Sequence, residues 1–237
     1  MTEIAPRFVE RVWGTRDLSP WFPAPPSSPS GQPYGEVWFE GESLLIKFLF
    51  PAEKLSVQVH PPDEYARLHH GSPGKTEMWR VVRAGPGARI ALGFREPVLP
   101  AKARAAALDG SIMNLLDWRE VAAGDSYLIP AGTVHAMGGG MVVAEIQQLS
   151  DVTYRLFDYG RGRELHIERG FDVARLGPYT PCETRCAYFE TVEVEPGLLV
   201  EPRAREDYLI GLDTGLVHRL GRTVQASEPS LHTWVPA

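Results

Sequence analysis

Four residues of this chain are of types that hold divalent metal ions: Gln58 and His60 in QVHP, Glu77 in KTEMW and His135 in GTVHA. Two imidazole nitrogens, a carboxylate and an amide oxygen make a mixed nitrogen and oxygen donor set. Such a set suits an ion like zinc and leaves room for substrate oxygens. The four are far apart in sequence, so only a fold in which several strands converge on one interior can gather them. The two-residue period of a strand puts Gln58 and His60 on one face of LSVQVH, with Leu55, Val57 and Val59 on the other. The same parity puts Lys75 on the face of Glu77, and Asp151 on the face of Arg155 in a strand expected over DVTYRLFD. Glu145 heads EIQQ in the next strand back. Lys47 interrupts the apolar run Leu44–Phe50, where a buried ammonium is costly unless paired. Parity leaves two readings open for it, backing the site or pointing out.

The elements that carry these residues are short. Gly (23) and Pro (21) are spread along the 237 residues, which calls for many tight turns and a β-rich fold. Helical material is limited to Asp63–His70, AKARAAALDG with its stop at Gly110, a turn or two around SIMNLLDW, and HIERGFDVARL. WFPAPPSSPSGQPY at 21–34 is too rich in proline for a helix. It reads as an extended surface loop that, with 69–75, would form the rim of a site. Strands dominate again after Cys182, with a boundary near 175–183.

The run from Gly124-Asp125 through a strand to Pro-Ala-Gly-Thr-Val-His135 resembles the second metal motif of the cupin β-barrels. Together with QVHP at 58–61, GKTEMW at 74–79, IPAGTVHA at 129–136, EIQQLSDVTYRLFDYGR at 145–161 and ELH at 164–166, it resembles the type I mannose-6-phosphate isomerases, most of all their short bacterial form. The likeness runs nearly unbroken over residues 12–180 and fades beyond. It implies a mainly β fold of two cupin-like (jelly-roll) barrels with a few short helices. Residues 1–178 would hold the metal and catalytic site with helical insertions. Residues 179–237 would be a reduced, metal-free β domain.

The resemblance also implies an enzyme that interconverts mannose 6-phosphate and fructose 6-phosphate through an enediol, using one zinc ion per chain. Gln58, His60, Glu77 and His135 would be the ligands. Asp151 would be the proton shuttle or base, with Glu145 as the alternative. Lys75 would polarise an oxygen or move a proton, and Arg155 would clamp the oxyanion or the phosphate. Arg161 and Arg163 are further phosphate candidates. This chain departs from the family in having Gly74 where some members place a histidine, and in lacking the length for a helical insertion between the metal strands.

Composition sets the limits. Lys plus Arg number 24 against 30 Asp plus Glu, a net charge of −6, which argues against a nucleic-acid partner. No run of 18 apolar residues suggests a membrane span. Two cysteines, Cys182 and Cys186, cannot build a disulfide framework, and a reducing cytoplasm fits them. They are expected to pack, His69 and His70 to lie at the surface, His166 to cap or pack rather than act in catalysis, and the glycines of AMGGGMVV to make turns. The expected partner is a small sugar phosphate, and the oligomeric state is left open. Two rivals share the motif set: an isomerase of an unphosphorylated sugar such as mannose, and a catalytically silent sugar-phosphate-binding protein. A metal dioxygenase is disfavoured by the presence of only two candidate histidine ligands.

Overall fold

The structure is a computed structural model that describes residues 1–236. It is mainly β, as the sequence leads one to expect. The chain opens with β1 (Thr2–Glu3), β2 (Arg7–Thr15), β3 (Tyr34–Glu40), β4 (Leu44–Leu49) and β5 (Val57–Val59). Helix α1 (Asp63–His70) precedes β6 (Glu77–Ala84) and β7 (Arg89–Phe94), and α2 (Pro100–Asp109) and α3 (Ile112–Leu115) precede β8 (Leu116–Glu120). Then come β9 (Ser126–Ile129), β10 (His135–Met137), β11 (Met141–Gln148), β12 (Tyr154–Phe157) and α4 (Ile167–Val173). The last third adds β13 (Glu190–Val194), β14 (Leu199–Val200), β15 (Asp207–Gly211), β16 (Val217–Arg219), β17 (Val224–Gln225) and β18 (Ser230–Trp234).

Strand pairing sorts these into layers. A six-stranded sheet runs β2-β3-β4-β11-β6-β9, and a five-stranded sheet runs β12-β5-β10-β7-β8. Their inner faces meet in a core where Leu49, Trp79, Val81 and Val143 pack with Ile90, Leu92 and Met137. The helices cover the outer face of the five-stranded sheet, with Ala103, Ala106, Ala107 and Phe171 against Val57, Val59 and Ala136. The alanine-rich face of α2 lets it lie close, and Gly110 ends it in the left-handed region at φ 83°, where a Cβ is strained.

The outer face of the six-stranded sheet is covered by a second five-stranded sheet, β1-β16-β15-β18-β13. Leu44, Ile46 and Phe48 pack there with Tyr208, Ile210 and Leu231, while Leu49 points into the inner core. That double coverage is why β4 reads as an apolar run rather than an alternation. Strands β13 to β18 pair among themselves, and β1 joins their sheet through Thr2↔Arg219.

Two expectations are corrected. The strand read over 151–158 begins only at Tyr154, so Asp151 lies in irregular backbone and shares no strand face with Arg155. The proline-rich loop is anchored rather than poised over a site: Trp21 and Phe22 pack on the core, and Trp21 Nε1 donates to the Leu212 carbonyl at 2.7 Å. No residue of that loop lines the central cavity.

Candidate metal centre

Strand register gathers the four metal candidates. His135 at the start of β10 lies opposite Gln58 of β5, and Gln58 lies opposite Arg155 of β12. His60 follows β5 directly, and Glu77 opens β6 on the facing sheet. Ligand atoms of His60, Glu77 and His135 all lie within 4.8 Å of one another, and all three side chains are buried. His60 Nε2 is 3.4 Å from Glu77 Oε2, and His135 Nε2 is 3.3 Å from Glu77 Oε1.

The protonation of the two rings follows from their other nitrogens. His60 Nδ1 is 3.0 Å from the Val152 carbonyl and His135 Nδ1 is 2.9 Å from the Thr133 carbonyl. A carbonyl only accepts, so in both rings Nδ1 carries the hydrogen and Nε2 presents a lone pair to the cluster. Two lone pairs and a carboxylate therefore face one another inside the protein. Glu77 Oε1 is buried with no hydrogen-bond partner among the described residues. This donor set, with backbone carbonyls fixing the ring tautomers, fits a divalent cation of the zinc type. Gln58 brings its amide beside the set, Nε2 at 3.2 Å from His135 Nε2 and Oε1 accepting from Ser56 Oγ at 3.1 Å. A half-turn of the amide presents the oxygen instead.

Lys75, also buried, reaches His60 Nε2 at 2.8 Å and bonds Glu77 Oε2. Burial shifts the cluster towards its neutral forms. It holds His60 well below the usual imidazole range and His135 down at about 4, and pushes Glu77 up to about 7 against the pull of Lys75. Burial also works against the Lys75 ammonium, but Glu77 and Glu145 outweigh it and raise this lysine above its usual value.

A cavity of about 250 Å³ adjoins the cluster, lined by Lys75, Gln58 and Glu145 inside and by Asp151, Arg155 and Arg163 towards solvent. Lys47 points into it, which closes the choice left open by parity. Its ammonium lies 3.0 Å from Glu145 Oε1, 3.9 Å from Glu36 Oε2 and 4.7 Å from the centre of the Trp38 ring. Trp79 Nε1 donates to the other Glu145 oxygen at 2.8 Å. Burial favours a neutral Glu145, yet Lys47 and Lys75 overcome it and hold the carboxyl down at about 2. Arg11 in turn pairs with Glu36 at 2.8 Å. A row of alternating charge, Arg11–Glu36–Lys47–Glu145, thus crosses β2, β3, β4 and β11 on the cavity side. Sequence reading missed Arg11, Glu36, Trp38 and Trp79. The signal that could have found Glu36 and Trp38 is their spacing of two in GEVWF, which puts both on one strand face.

The other candidates divide. Asp151 lines the cavity, is exposed, and its carboxylate has no hydrogen-bond partner among the described residues. Arg155 donates to the Glu164 carbonyl at 2.8 Å, while its Nε is buried without a partner among the described residues. Burial lowers its pKa from the usual guanidinium value. Arg163 lines the cavity and is held by Asp158 at 2.7 Å. Arg161 does not line it, being tied to Glu53 at 2.8 Å. His166 accepts from the Arg155 backbone N–H at 3.1 Å, a packing role. His70 bonds Tyr154 and His69 stacks on Tyr65, both outside the cluster. Cys182 and Cys186 are free thiols. No helix among the described residues is long and apolar enough to cross a membrane.

No family model matches the chain. It is 40% identical to a mannose-6-phosphate isomerase of Streptococcus mutans over 66% of its own length, which spans 51% of that relative. It is 33% identical to the mannose-6-phosphate isomerase ManA of Bacillus subtilis, covering 79% of this chain and 71% of that one. The fold matches the crystal structure of the mannose 6-phosphate isomerase from Bacillus subtilis with a TM-score of 0.73 at 23% identity, over 98% of this chain and 93% of that chain. It matches the enzyme of the same name from Salmonella typhimurium at 0.73 and 13% identity, over 99% and 98%.

Proposed function

Since the chain belongs to the mannose-6-phosphate isomerase family, we propose that it interconverts mannose 6-phosphate and fructose 6-phosphate through an enediol, with one zinc ion at His60, Glu77, His135 and Gln58. The observation that carries this reading is the convergence of two unprotonated imidazole nitrogens on the Glu77 carboxylate, whose Oε1 has no hydrogen-bond partner among the described residues, beside a charged cavity. When bound there, the ion supplies Lewis-acid charge that acidifies the proton next to the sugar carbonyl.

The chain's own groups have separate tasks. Asp151, whose carboxylate is free of partners, takes the carbon proton and returns it to the neighbouring carbon. Glu145 is a poor base, because Lys47 and Trp79 occupy both of its oxygens; its part is to fix the charge of the cavity wall. Lys75 donates to the oxygen on which negative charge grows. Arg155 and Arg163, on the solvent side, suit the phosphate, which a guanidinium can bind through two parallel hydrogen bonds.

A coupled assay of mannose 6-phosphate, run beside free mannose, tests the proposal. Turnover confined to the phosphorylated sugar is expected. Turnover of mannose alone would overturn the substrate, and silence on both with zinc bound would leave a binding protein.

A further inference from the structure

A second concavity, of about 430 Å³, lies away from the metal centre, lined by Lys54, Arg89, Arg95, Met113, Asn114, Leu116 and Trp118. Its charge is one-sided. The lining holds three cations and no carboxylate, although acids outnumber bases in the chain as a whole. None of the three cations makes an ion pair among the described residues. Glu120 is the cross-strand neighbour of Arg89 and still forms none with it. The cations sit instead against rings and a carbonyl. Arg89 lies 5.6 Å from the centre of the Trp118 ring, Lys54 lies 5.7 Å from that of Tyr159, and Arg95 donates to the Asn114 carbonyl. Unpaired cations sharing a recess concentrate anions there. Trp118 and Met113, both partly buried, add apolar surface to the same recess.

From this lining we propose that the recess is a ligand site for a phosphorylated compound with a flat ring, such as a nucleoside diphosphate. The phosphates meet Lys54, Arg89 and Arg95, and the ring lies against Trp118. The volume falls in the range of small-molecule sites.

The recess is wired to the sugar cavity through one loop. Tyr159 donates from its hydroxyl to Met113 Sδ at 3.5 Å and holds a left-handed backbone at φ 56°, unusual for a residue with a side chain. Beside it, Asp158 anchors Arg163, a cavity-lining residue, and Arg161 donates to the Lys54 carbonyl at 2.9 Å. Leu55 and Ser56, which follow Lys54, line the sugar cavity. Occupancy of the recess therefore bears on the arginine side of that cavity.

Calorimetric titration of the zinc-loaded full chain with magnesium ADP, pyrophosphate and adenosine tests the site. ADP is expected to bind, pyrophosphate at least about tenfold more weakly, and adenosine weaker still. The exposed pair Arg89→Glu/Arg95→Glu should lower ADP affinity at least about tenfold and leave turnover without ADP unchanged. No binding of ADP or pyrophosphate would overturn the site. So would binding that Arg155→Ala abolishes and the charge reversals do not, because the anion would then sit in the sugar cavity. Equal affinity for pyrophosphate and ADP would overturn the ring platform. Saturating ADP should shift the affinity for mannose 6-phosphate, and an unchanged affinity would overturn the coupling. The titrations need no turnover, so they stand or fall apart from the isomerase reading.

Discussion

Two buried histidine–carboxylate groups lie in different parts of the molecule. In the C-terminal sheet, His232 Nε2 is 2.8 Å from Asp207 Oδ1, and the other Asp207 oxygen accepts the Arg203 backbone N–H at 2.7 Å. That carboxylate is saturated, and the pair ties the 203–207 turn to β18. In the candidate metal centre, two histidines face one carboxylate that keeps an orphaned oxygen, although Lys75 reaches His60 Nε2 and Glu77 Oε2. Both groups are equally inaccessible. The difference is that one carboxylate has a hydrogen-bond partner on each oxygen, as buried polar groups do, whereas the other leaves Glu77 Oε1 without one among the described residues. The orphaned acceptor, more than burial or residue type, marks the second group as the candidate metal site.

Substitution should split the two. His135→Ala should lose bound zinc and at least roughly 10³-fold in turnover, as befits loss of the Lewis acid. His232→Ala should keep both and lose roughly 2 kcal/mol of stability, because Asp207 Oδ1 is left buried without its partner. Metal analysis, turnover and urea unfolding on the same samples decide it. If His232→Ala also abolishes turnover, the division between the regions fails.

Within the cavity, the acids differ in the same sense. Asp151→Asn should retain zinc and lose roughly 10²-fold or more in kcat. An unimpaired variant would move the base to Glu145. Lys47→Met removes a partner of a buried, saturated carboxylate and should destabilise the fold by about 3 kcal/mol. The sign with pH is fixed: a carboxyl held at about 2 contributes stability above its ordinary value of 4.5, and this is lost as pH falls towards 2. Without Lys47 that contribution shrinks, so acid unfolding should begin at higher pH. An acid midpoint that stays put would show that Lys47 does not hold Glu145.

The smallest effect expected is that of Arg155→Ala, a rise of about tenfold in KM for mannose 6-phosphate, in line with loss of one charge-assisted hydrogen bond. An equal loss towards a free sugar ligand would place this arginine at the reacting oxygens instead.

Much of this was legible in the sequence because the metal-set residues sit at strand ends next to turn signals. QVHP and GTVHA mark both the turn and the histidine that follows its register. Lys75 beside Glu77 followed from a spacing of two. Lys47 was not legible, because β4 is covered on both faces and its alternation carries no sign of which side holds the site. Asp151 was misplaced since its β-like neighbours, Val152 and Thr153, extend the pattern of a strand that in fact starts at Tyr154. The pairing of β1 with β16 joins residues more than two hundred positions apart, Thr2 opposite Arg219, and leaves no local trace.

On the proposed reading, His60, Glu77 and His135 hold the zinc on which turnover depends. Chelated protein should be titrated with zinc while bound metal and mannose 6-phosphate turnover are followed together, with His135→Ala in parallel. Turnover should be lost on chelation and rise in step with bound zinc to one equivalent per chain, with neither response in the variant. Turnover that survives removal of the metal, or one tightly bound zinc in His135→Ala, would contradict it.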